Sequence, residues 1–295
     1  MPPDPEDRWT VGRLLKWTQD FLKKKGAESP RLDAEVLLAS VLKCERVQLY
    51  TRFTDEVEEG PRSAFRDLVK RRAEGAPVAH LVGRKEFFSL DFAVSPAVLI
   101  PRPDSESVVV EALTRLKGVE GPRCVDVGTG SGCLALAVAH RHKTARFIAI
   151  DLSPEALAVA RGNAAKLKLS DRVEFREGDL LGPVAGEAPF DLILSNPPYI
   201  ASAVVPTLEP GVRDFEPHLA LDGGEDGLCV VERLIGQALP LLKIGGSLIL
   251  EIGSDQEAPV RDLIAARPGF DLAPTVRDAA NHPRVIHARR LADRA

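Results

Sequence analysis

Residues 123–132 read RCVDVGTGSG, a short apolar stretch that runs directly into a glycine-rich turn. The first five residues have the pattern of a buried β-strand. Glycines after such a strand let the backbone turn sharply and approach a ligand closely, and a helix is predicted from about residue 132. A loop of this kind serves several nucleotide cofactors and sometimes only a tight turn, so it needs support from the rest of the chain.

The chain around this loop alternates strands and helices. Strands are predicted at 123–127, 146–150, 172–176, 190–195 and 246–252, near 270–276 and at 284–289, and helices at 105–116, 132–141, 154–168 and 227–242. This alternation predicts an α/β domain with a doubly wound, mostly parallel sheet, whose ligands bind at the carboxyl ends of the strands.

The first 85 residues have a helical pattern instead. Apolar residues recur at helical spacing over 11–25, 30–42 and about 61–72, which predicts a small helical bundle. Thr10 is the predicted N-cap of the first helix, and Ser29-Pro30 gives a cap followed by proline for the second.

From Glu86 to Ile100 β-forming residues alternate, which predicts a strand pair or hairpin. We therefore expect a helical domain over 1–85, a β-hairpin linker over 86–103 and an α/β domain over 104–295.

Composition and charge limit the class of protein. With 44% hydrophobic and 28% charged residues the chain has an ordinary soluble composition, and no apolar run approaches the roughly 18 residues of a membrane span. Residues 1–7 lack the features of a signal or transit peptide, so a cytoplasmic protein is expected. The four cysteines form no C-x-x-C pair, and no metal site is predicted. A net charge of −4 counts against nucleic acid as a partner.

Two acidic residues strengthen the assignment of the glycine loop to a cofactor. Asp151 ends the second predicted strand, where its carboxylate can accept hydrogen bonds from both ribose hydroxyls. Asp179 follows the third strand, and its carboxylate suits the exocyclic amine of adenine. Leu180 can pack on the adenine ring or use its backbone amide. Three such features at successive strand ends predict an adenosine-containing cofactor.

A further motif, Asn196-Pro197-Pro198-Tyr199, follows the fourth predicted strand. Asn196 offers its side-chain carbonyl and Pro197 its backbone carbonyl, and both can accept N–H bonds from a planar nitrogen. The prolines lack N–H donors and restrict the backbone, while Tyr199 supplies a flat face for packing. Carbonyl dipoles at this place also stabilise positive charge that moves onto a nitrogen during methyl transfer.

The residues alone leave alternatives. A dehydrogenase shares the glycine loop and the following acid, but the spacing here is G-x-G-x-G and a dehydrogenase does not explain the Asn-Pro-Pro-Tyr motif. A nucleic-acid adenine N6-methyltransferase can use the same acceptors on a flipped base. A module that binds a cofactor without catalysis is the third possibility.

Several sequence blocks, in order, resemble the release factor glutamine methyltransferase family, PrmC/HemK. These blocks are RRAEGAPVAHL (71–81), GRKEF (83–87), IPRPDSE (100–106), DVGTGSG (126–132), NPPYI (196–200), FEP (215–217) and DGG (222–224). Residues 104 onward resemble a class I methyltransferase. The resemblance implies a Rossmann-like fold with a seven-stranded sheet, preceded by the helical bundle and the hairpin linker.

The resemblance also implies a reaction: methylation, by S-adenosyl-L-methionine, of the glutamine in the Gly-Gly-Gln loop of peptide chain release factors, with S-adenosyl-L-homocysteine as product. The helical region would recognise this protein substrate. A sibling family that methylates a ribosomal protein typically has Pro-Arg-Ser-Pro-Ile where this chain has Pro101-Arg102-Pro103-Asp104-Ser105, which favours release factors.

These arguments give a set of predicted site residues. Asn196 and Pro197 are the predicted catalytic residues, and Asn196, Pro197, Pro198 and Tyr199 bind the substrate. The predicted cofactor-binding residues are Asp126, Gly128, Thr129, Gly130, Ser131, Gly132, Asp151, Asp179, Leu180 and Asn196.

Three features of the sequence remain open. Arg102 either shapes the mouth of the cofactor site or forms a structural ion pair. Glu251 either supports the site from behind or caps its strand. Residues 278–285 place a proline before Arg284, where the family usually has Gly-x-x-Arg-Val, so the turn there is in question.

Overall fold

A computed structural model describes residues 8–278 and 280–292. The expectations for residues 1–7, for Ala279 and for residues 293–295 lie outside the described residues. The described chain forms two compact units. One contains the chain as far as Gly83 together with Pro210–Phe215, and the other contains Arg84–Glu209 and the chain from Glu216 onward.

The first unit is helical. Its helices are α1 (Val11–Lys24), α2 (Pro30–Leu42), α3 (Arg46–Thr51), α4 (Glu59–Ala73), α5 (Val78–Val82) and the short α9 (Pro210–Arg213). Its core is built mainly from leucines of α1, α2 and α3 and from Phe65 of α4. The Thr10 hydroxyl accepts the Arg13 N–H, as predicted for an N-cap. Ser29 occupies the cap position of α2 but makes no side-chain cap bond.

The sequence analysis missed α3 and α5. Of the α3 residues only Leu49 is buried, and α5 has no fully buried residue. A helix of five or six residues that buries so little carries no apolar repeat, and periodicity was the signal used to find helices.

A hairpin opens the second unit. Strands β1 (Arg84–Phe87) and β2 (Leu90–Ala93) pair antiparallel. The two turn residues, Phe88 and Ser89, both have positive φ, as in the type I′ turns that are common in two-residue hairpins. Residues 94–100, which the sequence placed in the same strand region, form no strand.

The remaining strands of the described chain form one sheet of eight strands where seven were expected, because two short strands stand where one was predicted near 270–276. They are β3 (Arg123–Val127), β4 (Arg146–Asp151), β5 (Val173–Glu177), β6 (Phe190–Ser195), β7 (Leu242–Glu251), β8 (Phe270–Leu272), β9 (Val276–Arg277) and β10 (Pro283–Arg290). The order is β5-β4-β3-β6-β7-β10-β8, and the short β9 pairs with β10. Neighbours from β5 to β7 are parallel, whereas β10 is antiparallel to β7 and β8.

Helices cover both faces of this sheet. They are α6 (Glu106–Arg115), α7 (Cys133–Arg141), α8 (Pro154–Lys166), α10 (Cys229–Leu241) and α11 (Glu257–Ala265). Two apolar cores result, one between the sheet and α6, α7 and α8, and the other between the sheet, α10 and α11. The sequence analysis missed α11, of which only Val260 and Ile264 are buried. Within the described chain, no helix has the length and apolar character needed to cross a membrane.

The turn before β10 is organised by Asp278. Its carboxylate accepts the backbone N–H of Ala280 at 2.9 Å and of His282 at 2.8 Å, and the guanidinium of Arg284 donates to it at 3.0 Å. Pro283 is the first residue of β10. The proline that distinguishes this block therefore stands where a strand begins, a position that tolerates the missing N–H.

Candidate active site

A cavity of about 420 Å³ opens in the second unit at the carboxyl ends of the parallel strands. Its lining includes residues from the segments that follow β3, β4, β5 and β6, and from residues 97–105, which precede α6. Because parallel strands all point the same way, segments far apart in sequence meet at this edge. The cavity lies within the volume range of small-molecule and cofactor sites.

The glycine loop forms one wall. Gly128, Gly130 and Gly132 all have positive φ. A Cβ atom at Gly128 or Gly130 would meet no atom within 4 Å, so these two positions leave open space beside the backbone. At Gly132 a Cβ would lie 2.9 Å from Leu136 and 3.3 Å from Ala160, so this glycine lets α7 and α8 pack closely. Gly128 and Gly130 therefore leave room for a ligand against the backbone, whereas Gly132 allows the two helices to pack.

Asp126 supports the loop from beneath. It is fully buried, and its Oδ2 accepts the Thr129 hydroxyl at 2.7 Å and the Ala135 N–H at 3.2 Å. Oδ1 has no hydrogen-bond partner, and neither does the buried hydroxyl of Ser131 in the same loop. Burial raises the pKa of Asp126 to about 7 although the two hydrogen bonds oppose it. The Thr129 hydroxyl is thus engaged within the loop.

Asp151, at the end of β4, links the loop to the next strand. One carboxylate oxygen accepts the Gly130 N–H at 2.8 Å and the other accepts the Ser153 N–H at 3.0 Å. Each oxygen keeps a second lone pair for a ligand. Burial raises the pKa of Asp151, and the backbone N–H groups oppose this shift by favouring the charged form. The carboxylate faces the cavity at the place predicted for ribose hydroxyls.

Asp179 and Leu180 lie on the cavity wall after β5. The Asp179 carboxylate forms an ion pair with Arg233 of α10, and about half of each side chain is exposed. Gly178 and Leu180 have positive φ, and a Cβ at Gly178 would lie 2.3 Å from Pro183. Only glycine fits at position 178, and this turn presents Asp179 and Leu180 side by side.

Asn196 directly follows β6, and because Ser195 pairs with Val127 of β3, it lies next to the start of the glycine loop. Its Nδ2 donates to Oγ of Ser105 at 3.2 Å, and Ser105 itself is buried. Pro198 lines the cavity with Asn196, whereas Pro197 is buried. Burial raises the pKa of Tyr199 to about 12, so this side chain stays a neutral phenol.

Two glycines pack closely against the backbone of the Asn-Pro-Pro-Tyr segment. A Cβ at Gly223 would lie 2.7 Å from the Pro198 carbonyl oxygen, and one at Gly227 would lie 2.4 Å from the Tyr199 carbonyl oxygen. Gln256 donates from Nε2 to that Tyr199 oxygen at 2.9 Å. These contacts restrict the conformation of the segment, and the close approach at Gly223 explains the first glycine of the Asp-Gly-Gly block at 222–224.

Arg102 is both at the cavity mouth and in an ion pair, so both readings of it hold. It lines the cavity and donates to Glu216 at 2.5 Å. Glu216 is buried and also accepts the Ile100 N–H at 3.2 Å. The Phe-Glu-Pro block thereby anchors the segment that leads into α6.

The structure brings most of the predicted site residues to one cavity. Those on its wall are Gly128, Thr129, Gly130, Ser131, Asp151, Asp179, Leu180, Asn196 and Pro198. Four predicted site residues do not line this cavity: Asp126, Gly132, Pro197 and Tyr199. The sequence analysis missed Ser105, Gly227 and Gln256. Their contacts join segments far apart in sequence, so no local motif marks them.

The wall residues suit an adenosyl cofactor. Open space beside Gly128 and Gly130 admits a ligand against the backbone, and the Ser131 hydroxyl is buried without a partner. The carboxylate residues Asp151, at the end of β4, and Asp179, after β5, line the cavity, with Leu180 next to Asp179. In the described part of the chain, no group of three or more His, Cys, Asp or Glu side chains is placed to hold a metal ion.

Known structures share the fold of this chain. The catalytic domain of hMettl16, solved with the MAT2A 3'UTR hairpin 6, matches with a TM-score of 0.57 at 18% identity, over 78% of this chain and 84% of that one. A methyltransferase from Pyrococcus furiosus matches with a TM-score of 0.52 at 19% identity, over 75% of this chain and 96% of that one. The Rossmann-like class I methyltransferase fold is confirmed.

Sequence comparisons narrow the family. Residues 13–83 match the PrmC N-terminal domain and residues 104–208 the Methyltransferase small domain. A release factor glutamine methyltransferase from Rhodopirellula baltica is 44% identical over 94% of this chain and 95% of its own length. One from Moorella thermoacetica is 46% identical over 90% of this chain and 93% of its own length. The chain belongs to the release factor glutamine methyltransferase family of S-adenosylmethionine-dependent enzymes.

Proposed function

We propose that this protein transfers a methyl group from S-adenosyl-L-methionine to the side-chain amide nitrogen of the glutamine in the Gly-Gly-Gln loop of peptide chain release factors, in the cytoplasm. Relatives that align over nearly the whole chain carry the name of this activity. The observation that carries the proposal is the placement of Asn196, whose amide nitrogen is bound by Ser105 while its side chain lines the cavity of the glycine loop.

The chain's own residues would hold the cofactor. Backbone groups at Gly128 and Gly130 approach it closely, Asp151 accepts from the ribose hydroxyls, and Asp179 accepts from the adenine amine. When bound, S-adenosylmethionine supplies an electrophilic methyl group on a sulfonium and leaves as S-adenosylhomocysteine. No residue is required to coordinate a metal ion.

The Asn-Pro-Pro-Tyr segment would orient the substrate. A glutamine amide is a poor nucleophile because its lone pair is delocalised into the carbonyl. Oδ1 of Asn196 and the backbone carbonyl of Pro197 accept the two N–H bonds and aim the nitrogen at the methyl group. Both oxygens carry partial negative charge and stabilise the positive charge that reaches the nitrogen. The proton leaves after the methyl group arrives, so no strong general base is needed. Pro198 and Tyr199 border the amide plane.

The helical unit would recognise the protein substrate. Between residues 8 and 83 Lys and Arg outnumber Asp and Glu, although the whole chain has a net charge of −4. This contrast supports a role in which the helical unit attracts an acidic protein surface and the acidic remainder discourages binding of nucleic acid. The proposed division of the chain is therefore a substrate-recognition part over 1–85, a hairpin linker over 86–103 and a catalytic part over 104–295.

One labelling experiment tests the proposal. The protein is incubated with methyl-labelled S-adenosylmethionine and, in separate reactions, with a release factor, ribosomal proteins and DNA. We expect label only on the release factor, and fragmentation should locate it on the glutamine of Gly-Gly-Gln. Substitution of that glutamine in the release factor serves as the matched control. Label on adenine, or on a ribosomal protein alone, would overturn the proposal.

A further inference from the structure

Glu251 is a buried carboxyl group beside the proposed substrate site that the mechanism above does not use. It is the last residue of β7, and it is only 2% exposed. Its Oε2 has no hydrogen-bond partner. A buried carboxyl oxygen without a partner is costly in free energy, so its retention next to Ser105 and Asn196, which line the cavity, calls for a functional explanation.

The sheet places Glu251 next to Asn196. Strands β6 and β7 are parallel, and Ser195 pairs with Leu250. Asn196 follows Ser195 and Glu251 follows Leu250, so these two residues are also neighbours across the two strands. Ser105 completes the group, because its hydroxyl accepts a hydrogen bond from Asn196 Nδ2. Both Ser105 and Asn196 stand close enough to the Glu251 carboxyl to favour its charged form.

This arrangement decides which end of the Asn196 amide faces the cavity. An ionised carboxylate only accepts hydrogen bonds, and the Ser105 hydroxyl that donates to it keeps its lone pairs for Asn196. Both neighbours therefore attract the Asn196 amide nitrogen. The amide oxygen is left for the cavity, where the proposed reaction needs an acceptor.

We propose that Glu251 is a positioning residue which, in its ionised form and together with Ser105, holds the Asn196 side chain with Oδ1 turned towards the substrate amide. This proposal rests on the proposed function. Protonated Glu251 could donate to the Asn196 oxygen instead, and the reversed amide would present N–H groups to the N–H groups of the substrate.

The burial and the charged neighbours of Glu251 set the pH at which it ionises and orients Asn196. Burial raises its pKa to about 7, although Ser105, Arg284 and Asn196 favour the ionised form. Asp104 also faces it and opposes ionisation, while Tyr199 and Cys133 are neutral neighbours. Arg284 is shared, since it pairs with Asp104 at 3.1 Å and with Asp278. Turnover of the wild-type protein should rise as pH increases through about 7 and Glu251 ionises.

The test compares Glu251→Gln with the wild type in steady-state methylation of a release factor across this pH range. We expect the variant to lose about tenfold or more in kcat and to lose the pH dependence, with Kd for S-adenosylmethionine within about twofold of the wild type. Glu251→Asp should restore part of both. Glu111→Gln, which also removes a buried carboxylate of the same unit, is the matched control and should keep the wild-type pH profile.

The outcomes separate the two proposals. A wild-type protein that does not methylate release factor at all refutes the proposed function. An active wild type with an equally active, equally pH-dependent Glu251→Gln variant refutes the positioning role alone. If Glu251→Gln does not fold, Ser105→Ala takes its place, with a severalfold lower kcat expected at unchanged cofactor affinity. Wild-type kcat in Ser105→Ala would likewise overturn the inference.

Discussion

Two buried carboxylates, Glu35 in the helical unit and Glu251 at the carboxyl end of β7, have opposite environments. Glu35 accepts hydrogen bonds from Arg31, Arg46 and Tyr50. Burial alone would raise its pKa, but these three partners outweigh burial and bring the pKa down to about 2. Glu251 has one oxygen without a partner, and burial raises its pKa to about 7.

This difference in pKa indicates that Glu35 contributes to stability and that Glu251 serves the reaction. The three hydrogen-bond donors favour the ionised form of Glu35 in the folded protein, and they are absent in the unfolded chain. Because its pKa is lower in the folded state, ionised Glu35 stabilises the helical unit. A carboxylate that is desolvated without full compensation destabilises the folded state at neutral pH. Glu251 is therefore retained for what it does to Asn196, and the following experiments test this contrast in order of expected effect.

The largest effect is expected for Glu35→Ala. Because the folded pKa of Glu35 lies below its unfolded value, its contribution is present above about pH 4.5 and is lost as pH falls towards 2. Removing it should lower the free energy of unfolding by about 3 kcal/mol at neutral pH, since three donors lose their acceptor. Denaturant titration at neutral pH measures the change, with Glu120→Gln on the exposed surface as the control. A loss below about 1 kcal/mol would contradict the assignment.

Asn196→Ala should affect the reaction and leave the fold intact. Leaving one substrate N–H without an acceptor costs roughly 1–3 kcal/mol, so kcat should fall by about ten- to a hundredfold. The affinity for S-adenosylmethionine should change much less, because the predicted ribose and adenine contacts are made by Asp151 at the end of β4 and Asp179 after β5. Steady-state kinetics and calorimetric titration measure the two quantities. Near-normal turnover would remove Asn196 from the catalytic role.

Glu251→Gln should change stability in the direction opposite to Glu35→Ala. The folded pKa of Glu251 is raised, so its favourable contribution is full below about pH 4.5 and is lost as pH rises through about 7. The neutral glutamine avoids this loss, and the variant should be more stable than the wild type by about 1–2 kcal/mol at pH 8 and equal to it at pH 5. Thermal unfolding at the two pH values shows the difference. A variant that is less stable at pH 8 would mean that Glu251 has a structural role.

The smallest effect is expected for Arg233→Ala. The ion pair between Arg233 and Asp179 is half exposed, and pairs of this kind contribute less than about 1 kcal/mol. Removing the arginine should therefore change Kd for S-adenosylmethionine by less than about fivefold, whereas Asp179→Ala should weaken binding more. Equal effects of the two variants would assign cofactor binding to the ion pair and not to the Asp179 carboxylate.

The elements predicted correctly from sequence are those with long, regular apolar patterns. β3, β6 and α1 begin and end within a residue or two of their predicted bounds, because each buries a continuous face. The short α3 and α5 and the nine-residue α11 each bury two residues or fewer, so their apolar patterns are too brief to identify a helix. Residues 94–100 were predicted to continue the strand region, but Pro96 begins a turn there and the segment pairs with no described strand.

The sequence by itself determined the family, the order of the parallel strands along the chain, and the two motifs that follow β3 and β6, because glycines permit and prolines restrict particular backbone conformations locally. Only the tertiary structure decided that Ser105, Glu251 and Asn196 meet, that Gly223 and Gly227 support the Asn-Pro-Pro-Tyr segment, and that Asp179 pairs with Arg233. The physical reason is that hydrogen bonding and burial depend on which strand ends become neighbours in the sheet, and no local pattern carries that information.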